Sequence, residues 1–172
     1  MSPLLIIVFG IVFIFGLVVF IGAPYVPSHK KYVRRTFDHF NIGRDDVLVD
    51  VGSGDGIVLR IASRYGATAV GYEINPLLVA VSRLLSIDDS RVKVLLQNFW
   101  RAQLPDETTI VYAFSVSRDE KKLTKLLQRE ANRLQRPLKL LCYGSPFKHI
   151  QASAIFEAYY LYIFQPLQSK NA

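Results

Sequence analysis

Cysteine is almost missing: Cys142 is the single one in 172 residues. An internal disulfide and a cysteine-based metal cluster are therefore excluded. Cys142 sits in the apolar run LKLLCY, where a small buried strand residue is expected rather than a nucleophile. Histidine is scarce as well. His29, His39 and His149 have no metal-ligand spacing, so no metal site is expected. Charge is missing from one end: residues 1–29 hold no Lys, Arg, Asp or Glu, and the net charge of +7 belongs to the rest of the chain. There is no internal repeat and no low-complexity segment. With 51% apolar residues the composition suits one core of ordinary size, not two, and not a disordered chain.

The charge-free end is apolar throughout. Leu4 to Gly22 reads LLIIVFGIVFIFGLVVFIG. As a helix it spans about 28 Å, close to the hydrocarbon thickness of a bilayer. A single transmembrane helix is expected. A cleaved signal is not, because MSP carries no basic side chain and GAPYVPS is a poor cleavage site. Lys30, Lys31, Arg34 and Arg35 come directly after it. Positive charge on this flank puts the N-terminus outside and the remainder in the cytoplasm, and it suits anionic headgroups. Pro24 and Pro27 stiffen the short connection, so the folded part should be held against the membrane. The expected division is residues 1–23 as anchor, 24–46 as linker and entry helix, and 47–172 as the folded domain. Ser28 is expected to cap a helix of about 29–40.

From Val47 the pattern alternates. VLVDVG, ATAVGYE, RVKVLLQ, TTIVYAFSV and LKLLCYG read as buried strands. GIVLRIASRYG, NPLLVAVSRLLSI and RDEKKLTKLLQREANRLQ read as the helices between them. The aromatic AIFEAYYLYIFQ reads as terminal strand. This order implies an α/β fold, a mostly parallel sheet with helices on both faces, and a ligand at the carboxyl ends of the strands.

The loop at such an end is VDVGSGDG, Val49 to Gly56. A phosphate loop needs Gly-Lys-Ser/Thr, and no lysine lies between Val47 and Gly66. A dinucleotide loop needs a third small residue where Ile57 stands, and Asp55 would face a pyrophosphate. A phosphate-free ligand carrying ammonium and sulfonium charge suits these acidic residues better.

Here the sequence resembles the class I S-adenosylmethionine-dependent methyltransferases, a Rossmann-like fold. By that resemblance Asp50, Gly52, Ser53, Gly54, Asp55 and Gly56 pass under the methionine part of S-adenosyl-L-methionine. Glu73, ending the second strand in GYEINP, matches the acid that binds the ribose hydroxyls, with Asn75 beside it. Asn98 and Phe99 of LLQNFW fall where the adenine is held. Asn98 departs from the aspartate expected there. The chain from about residue 20 to 147 is similar to a narrower family, the membrane-anchored protein-lysine methyltransferases typified by those acting on the ATP synthase c-subunit and the adenine nucleotide translocase. PYVPS, VDVGSGDG, AVGYEINPLLVAVSR, NFW and SPF carry this likeness.

The resemblance implies methylation of a lysine in a membrane protein near the cytoplasmic surface. A neutral amine needs an apolar, aromatic pocket. Tyr25, Phe114, Ser115, Ser117, Tyr143, Pro146 and Phe147 are placed to line it, and no general base is identified. A lipid or quinone-like acceptor, and a tethered module without catalysis, are the alternatives. Nucleic acid is set aside, because the position after the fourth strand reads FSVS and not Asn/Asp-Pro-Pro-Tyr/Phe.

Overall fold

Apolar strand runs and amphipathic helices close here into one sheet with two covered faces. The computed structural model describes residues 2–10, 12, 28–114 and 119–167. Among them, α1 is Lys30–His39, β1 Val47–Val51, α2 Ile57–Arg64, β2 Thr68–Glu73, α3 Pro76–Leu85 and β3 Val92–Leu96. A short 3-10 turn, Phe99–Arg101, comes next. Then come β4 Ile110–Phe114, α4 Glu120–Leu134, β5 Leu138–Tyr143, β6 Ala154–Phe156 and β7 Tyr159–Phe164. The strand order is β3-β2-β1-β4-β5-β7-β6. The first five strands are parallel, and β7 pairs antiparallel with both β5 and β6. The mostly parallel α/β sheet is as expected.

Parallel strands bury both faces, so they read as continuous apolar runs. On one face Leu48, Ile110, Tyr112 and Leu141 pack beneath α1, α2 and α3, through Val33, Phe37, Leu59, Ile61 and Val79. On the other, Val49, Val111, Leu140 and Cys142 pack beneath α4, through Leu123, Leu126, Leu127 and Ala131. Cys142 is fully buried, as its surroundings required.

α1 is part of this core. Val33 and Phe37 have no exposed surface. Its outer turns grip the β6–β7 hairpin: Arg35 pairs with Glu157 at 2.7 Å, and His39 stacks on Phe156 at 4.1 Å. Ser28 does not cap α1. His29 holds that position, with no side-chain hydrogen bond.

Among the described residues no helix is long and apolar enough to cross a membrane. Residues 3–10 are helical and exposed. Most of the expected span Leu4–Gly22, together with Tyr25, Ser115 and Ser117, lies outside the described residues.

Candidate active site

The site is built at the carboxyl ends of β1 and β2. The register sets Asp50 between Gly71 and Tyr112. The chain then turns sharply through Gly52, Gly54 and Gly56, with φ of 75°, 55° and 78°. Only glycine adopts that conformation without strain. Beyond conformation, the first and last glycines differ in what surrounds them. A Cβ on Gly52 would meet nothing within 4 Å, so its bare face looks into open space. A Cβ on Gly56 would lie 2.0 Å from Ser82 Oγ, because the start of α2 is pressed against α3.

Most of the loop's backbone donors are spent inside the protein. The N–H groups of Gly52 and Ser53 both donate to the Tyr72 carbonyl, at 2.9 and 3.0 Å. Gly54 N–H donates to Glu73 Oε2 at 2.9 Å. Gly56 N–H donates to the Ser53 carbonyl at 2.8 Å, and Ile57 N–H to Asp55 Oδ1 at 3.2 Å. A phosphate cradle needs such groups turned outward. This loop therefore presents a close-packed backbone and a cluster of acids, not an anion nest.

Glu73 locks the arrangement. Its Oε1 accepts from the N–H groups of Ile74 and Asn75, each at 2.8 Å, while Oε2 holds Gly54. The carboxylate expected to meet a ribose is thus also the clasp between β2 and the glycine loop. Asp50 is buried. Burial first, then the charges of Glu73 and Asp55, push its carboxyl up to about 8. A buried acid in this state calls for a cationic partner.

These features fit S-adenosylmethionine. Open space beyond Gly52 leaves room for close approach to the backbone. Asp50 offers a carboxylate to ammonium and sulfonium charge, and Glu73 is an acceptor for paired hydroxyls. Asp50, Gly52, Gly54 and Glu73 are brought together as the motif required.

Other expected residues are placed differently. The Ser53 hydroxyl is turned down over Gly71, where it makes no hydrogen bond. Asp55 sits at the start of α2 and faces Arg60, 3.6 Å away. The Asn75 amide oxygen caps α3, accepting from Leu77 and Leu78. Asn98 is exposed, and its amide oxygen caps the 3-10 turn by accepting from Trp100 at 3.0 Å. Phe99 is buried edge-on against Tyr72 and Trp100 and belongs to the core. Ile74 was missed: it stands exposed beside Glu73, an apolar surface at the ribose end of the cleft. Its signal was an isoleucine where the chain leaves a strand.

One strand over, an aromatic wall rises at the ends of β4, β5 and β7. Phe114 meets Tyr143 edge-on at 5.5 Å, and Tyr143 meets Tyr159 at 4.8 Å. Tyr159 in turn lies 6.3 Å from Tyr112, the strand neighbour of Asp50. Tyr112 is enclosed, with Tyr159 and Ser28 as polar neighbours, and its hydroxyl completes no hydrogen bond. Burial holds the phenols of Tyr112 and Tyr159 above the usual tyrosine range. Tyr143 is half-buried among these rings, whereas Pro146 is exposed. Phe147 does not line the wall. Its ring stacks on Tyr162 at 4.6 Å and its N–H donates to the Tyr162 hydroxyl, on the opposite face of the sheet. Tyr112 and Tyr159 had not been singled out.

Fold and site together are of the S-adenosylmethionine-dependent methyltransferase kind. Residues 49–142 match the methyltransferase domain family, and the chain belongs to it. It is 32% identical over 129 residues to the ATP synthase c-subunit lysine N-methyltransferase of Homo sapiens, covering 73% of this chain and 53% of that one. It is 31% identical over 113 residues to a protein-lysine N-methyltransferase of Saccharolobus islandicus, covering 62% of this chain and 69% of that one. The chain thus spans about half the length of the human relative. Among solved structures it is similar to an RNA methyltransferase from Salinibacter ruber in complex with S-adenosyl-L-homocysteine. The TM-score is 0.71, with 25% identity over 86% of this chain and 98% of that one.

Proposed function

We propose that this chain transfers a methyl group to a lysine side chain of a protein lying in or at a membrane. The observation that carries the reading is the aromatic wall from Phe114 to Tyr112, set one strand from the acid-lined glycine loop. The identity to two relatives named as lysine N-methyltransferases supports it. When bound, S-adenosylmethionine supplies a methyl group already activated on a sulfonium sulfur.

The residues of the chain then have three tasks. Asp50 and the Glu73 clasp hold the charged and the hydroxylated ends of the donor. Phe114, Tyr143 and Tyr159 line the approach of an aliphatic amine and exclude water from it. A lysine amine must arrive neutral, and an apolar enclosure lowers its pKa from about 10.4. Because Tyr112 and Tyr159 stay protonated at neutral pH, neither acts as a phenolate base. Proton loss to solvent before transfer is the consistent course. The amine lone pair forms the new N–C bond, and the pair of the breaking C–S bond remains on sulfur.

The membrane setting belongs to the same proposal. The apolar run Leu4–Gly22, with Lys30, Lys31 and Arg34 after it, supports a single-pass anchor with the N-terminus outside and the catalytic domain on the cytoplasmic side. A second reading, methylation of RNA, draws on the Salinibacter ruber neighbour. The test is transfer of a labelled methyl group from S-adenosylmethionine to native membranes, to extracted lipid and to total RNA, with purified full chain. Label in protein that hydrolyses to methyllysine is expected. Label confined to lipid or RNA, or none with a chain that binds the donor, overturns the reading.

A further inference from the structure

The outer side of α3 carries a single charged side chain. The only ionisable residue of PLLVAVSRLL is Arg83, and its guanidinium is folded back onto the Val94 carbonyl at 3.0 and 2.8 Å. Leu77, Val81, Leu84 and Leu85 recur at helical spacing along that side, with Ile87 just beyond and the exposed Asp88 after it. Leu84 is 69% exposed and Ile87 75%. A helix that is apolar on its outer side as well as its inner one is out of place in water.

The stripe does not end blindly. Leu85 forms one wall of a groove of about 460 Å³, lined also by Ser28, Lys30, Arg60 and Arg64 and by one acid, Asp55. Lys30 and Arg64 are exposed there. Arg60 is tied to Asp55. Ser28 is where the described domain begins after the apolar N-terminal run. The six residues from Gly22 to Ser28 reach at most about 20 Å.

We propose that this side of the domain rests on the bilayer: Leu84, Leu85 and Ile87 enter the interface, and the groove between Lys30 and Arg64 takes an anionic lipid headgroup. The occupant is set by the adjacency of an apolar stripe, a groove where Lys30 and Arg64 stand in excess of the paired Asp55 and Arg60, and the short connection to the apolar run. It rests on the anchored reading only for that last element.

The test uses full chain in vesicles. Cys142 is fully buried, so a nitroxide introduced through Leu84→Cys reports one place. A label at Lys125→Cys, on exposed surface of α4 across the sheet, is the control. In vesicles with about a third anionic lipid, the label at 84 should be reached by oxygen and shielded from an aqueous nickel chelate. In neutral vesicles it should be less shielded, and the label at 125 should be aqueous in both. Lys30→Glu with Arg64→Glu should abolish the difference between lipids, each charge being worth about five-fold in local partitioning. A label at 84 that stays aqueous while the chain floats with the vesicles overturns the proposal. So does shielding from both reagents, which marks a protein contact, and so does failure to bind anionic vesicles. An immersed label on a chain stripped by alkaline wash refutes the anchor and leaves the face standing.

Discussion

The two ends of the cleft are put together in opposite ways. At the donor end every polar contact is local: Asp50, the glycine loop, Glu73 and Asn75 lie within one β1–α2–β2 unit and are tied by backbone hydrogen bonds. At the acceptor end the contacts are between rings on different strands. Tyr143 of β5 meets Tyr159 of β7 across an antiparallel register, and Tyr112 of β4 lies a strand away. The donor end is a rigid hydrogen-bonded mould. The acceptor end is a stack of rings, free to vary in shape without breaking the sheet. Binding of the donor and choice of acceptor are therefore separable properties of this fold.

Substitutions at the donor end should separate them most. Gly54→Arg fills the turn with a long cation beside Asp50, and Glu73→Ala leaves three backbone donors unpaired. Each unpaired donor costs about 1–3 kcal/mol. Both changes should abolish calorimetric binding of S-adenosylmethionine, and Glu73→Ala should also lower the melting temperature. Gly52→Ala and Gly56→Ala sharpen the point. Both carry the strain of a positive φ, but the first meets no atom and should lose less stability than the second, which also meets Ser82. Undiminished binding in Glu73→Ala would break the comparison.

At the acceptor end, Phe114→Ala and Tyr143→Ala should lower kcat/KM for the acceptor about ten- to a hundred-fold, roughly 1.4–2.8 kcal/mol of transition-state binding. The dissociation constant for the donor should stay within about two-fold, since the rings belong to β4 and β5 and the loop to β1 and α2. A parallel loss of donor binding would show that the two ends are one cooperative unit.

The pH dependence is smaller and belongs to the donor end alone. Asp50 has its carboxyl raised from 3.8 to about 8. Its contribution to stability is fully present below pH 3.8 and is lost as pH rises through about 8. A cationic donor favours the ionised form. Binding below pH 8 should therefore release a proton and tighten with rising pH, by at most about tenfold per unit. Calorimetry in two buffers of different ionisation enthalpy reads that proton, and Asp50→Asn should remove it. The smallest effect is expected at the hairpin. Arg35→Ala breaks an ion pair with Glu157 whose side chains are 51% and 30% exposed, and it should cost less than about 1 kcal/mol of stability without touching either end of the cleft.

The same contrast explains what could be read from the amino-acid order. Asp50-x-Gly-x-Gly-x-Gly and Glu73 were legible because a strand, a turn and a strand within one stretch fix their own geometry. The strands and helices of the sheet were legible for a like reason, the period of their apolar residues. Asn75, Asn98 and Phe99 were legible as positions but not as contacts. Two of them cap the turns just after them, and the third packs under β2 and β3. Phe147 was misplaced because its ring crosses to Tyr162 on the far face. Tyr112 and Tyr159 were invisible as a pair, since their meeting depends on the β5–β7 register and on nothing nearby in sequence.

The Glu73 clasp has a consequence for turnover. A cleft whose backbone is already tied in place needs little ordering when a guest arrives, so it fits donor and spent product about equally well in shape. The two differ by a single positive charge at sulfur. In such a mould the discrimination that limits product inhibition falls to electrostatics, and above all to the state of Asp50. Below about pH 8, where this carboxyl is neutral, a methyltransferase built this way would be slower to tell fresh cofactor from exhausted, and the methylation potential of its surroundings would then weigh more heavily on its rate.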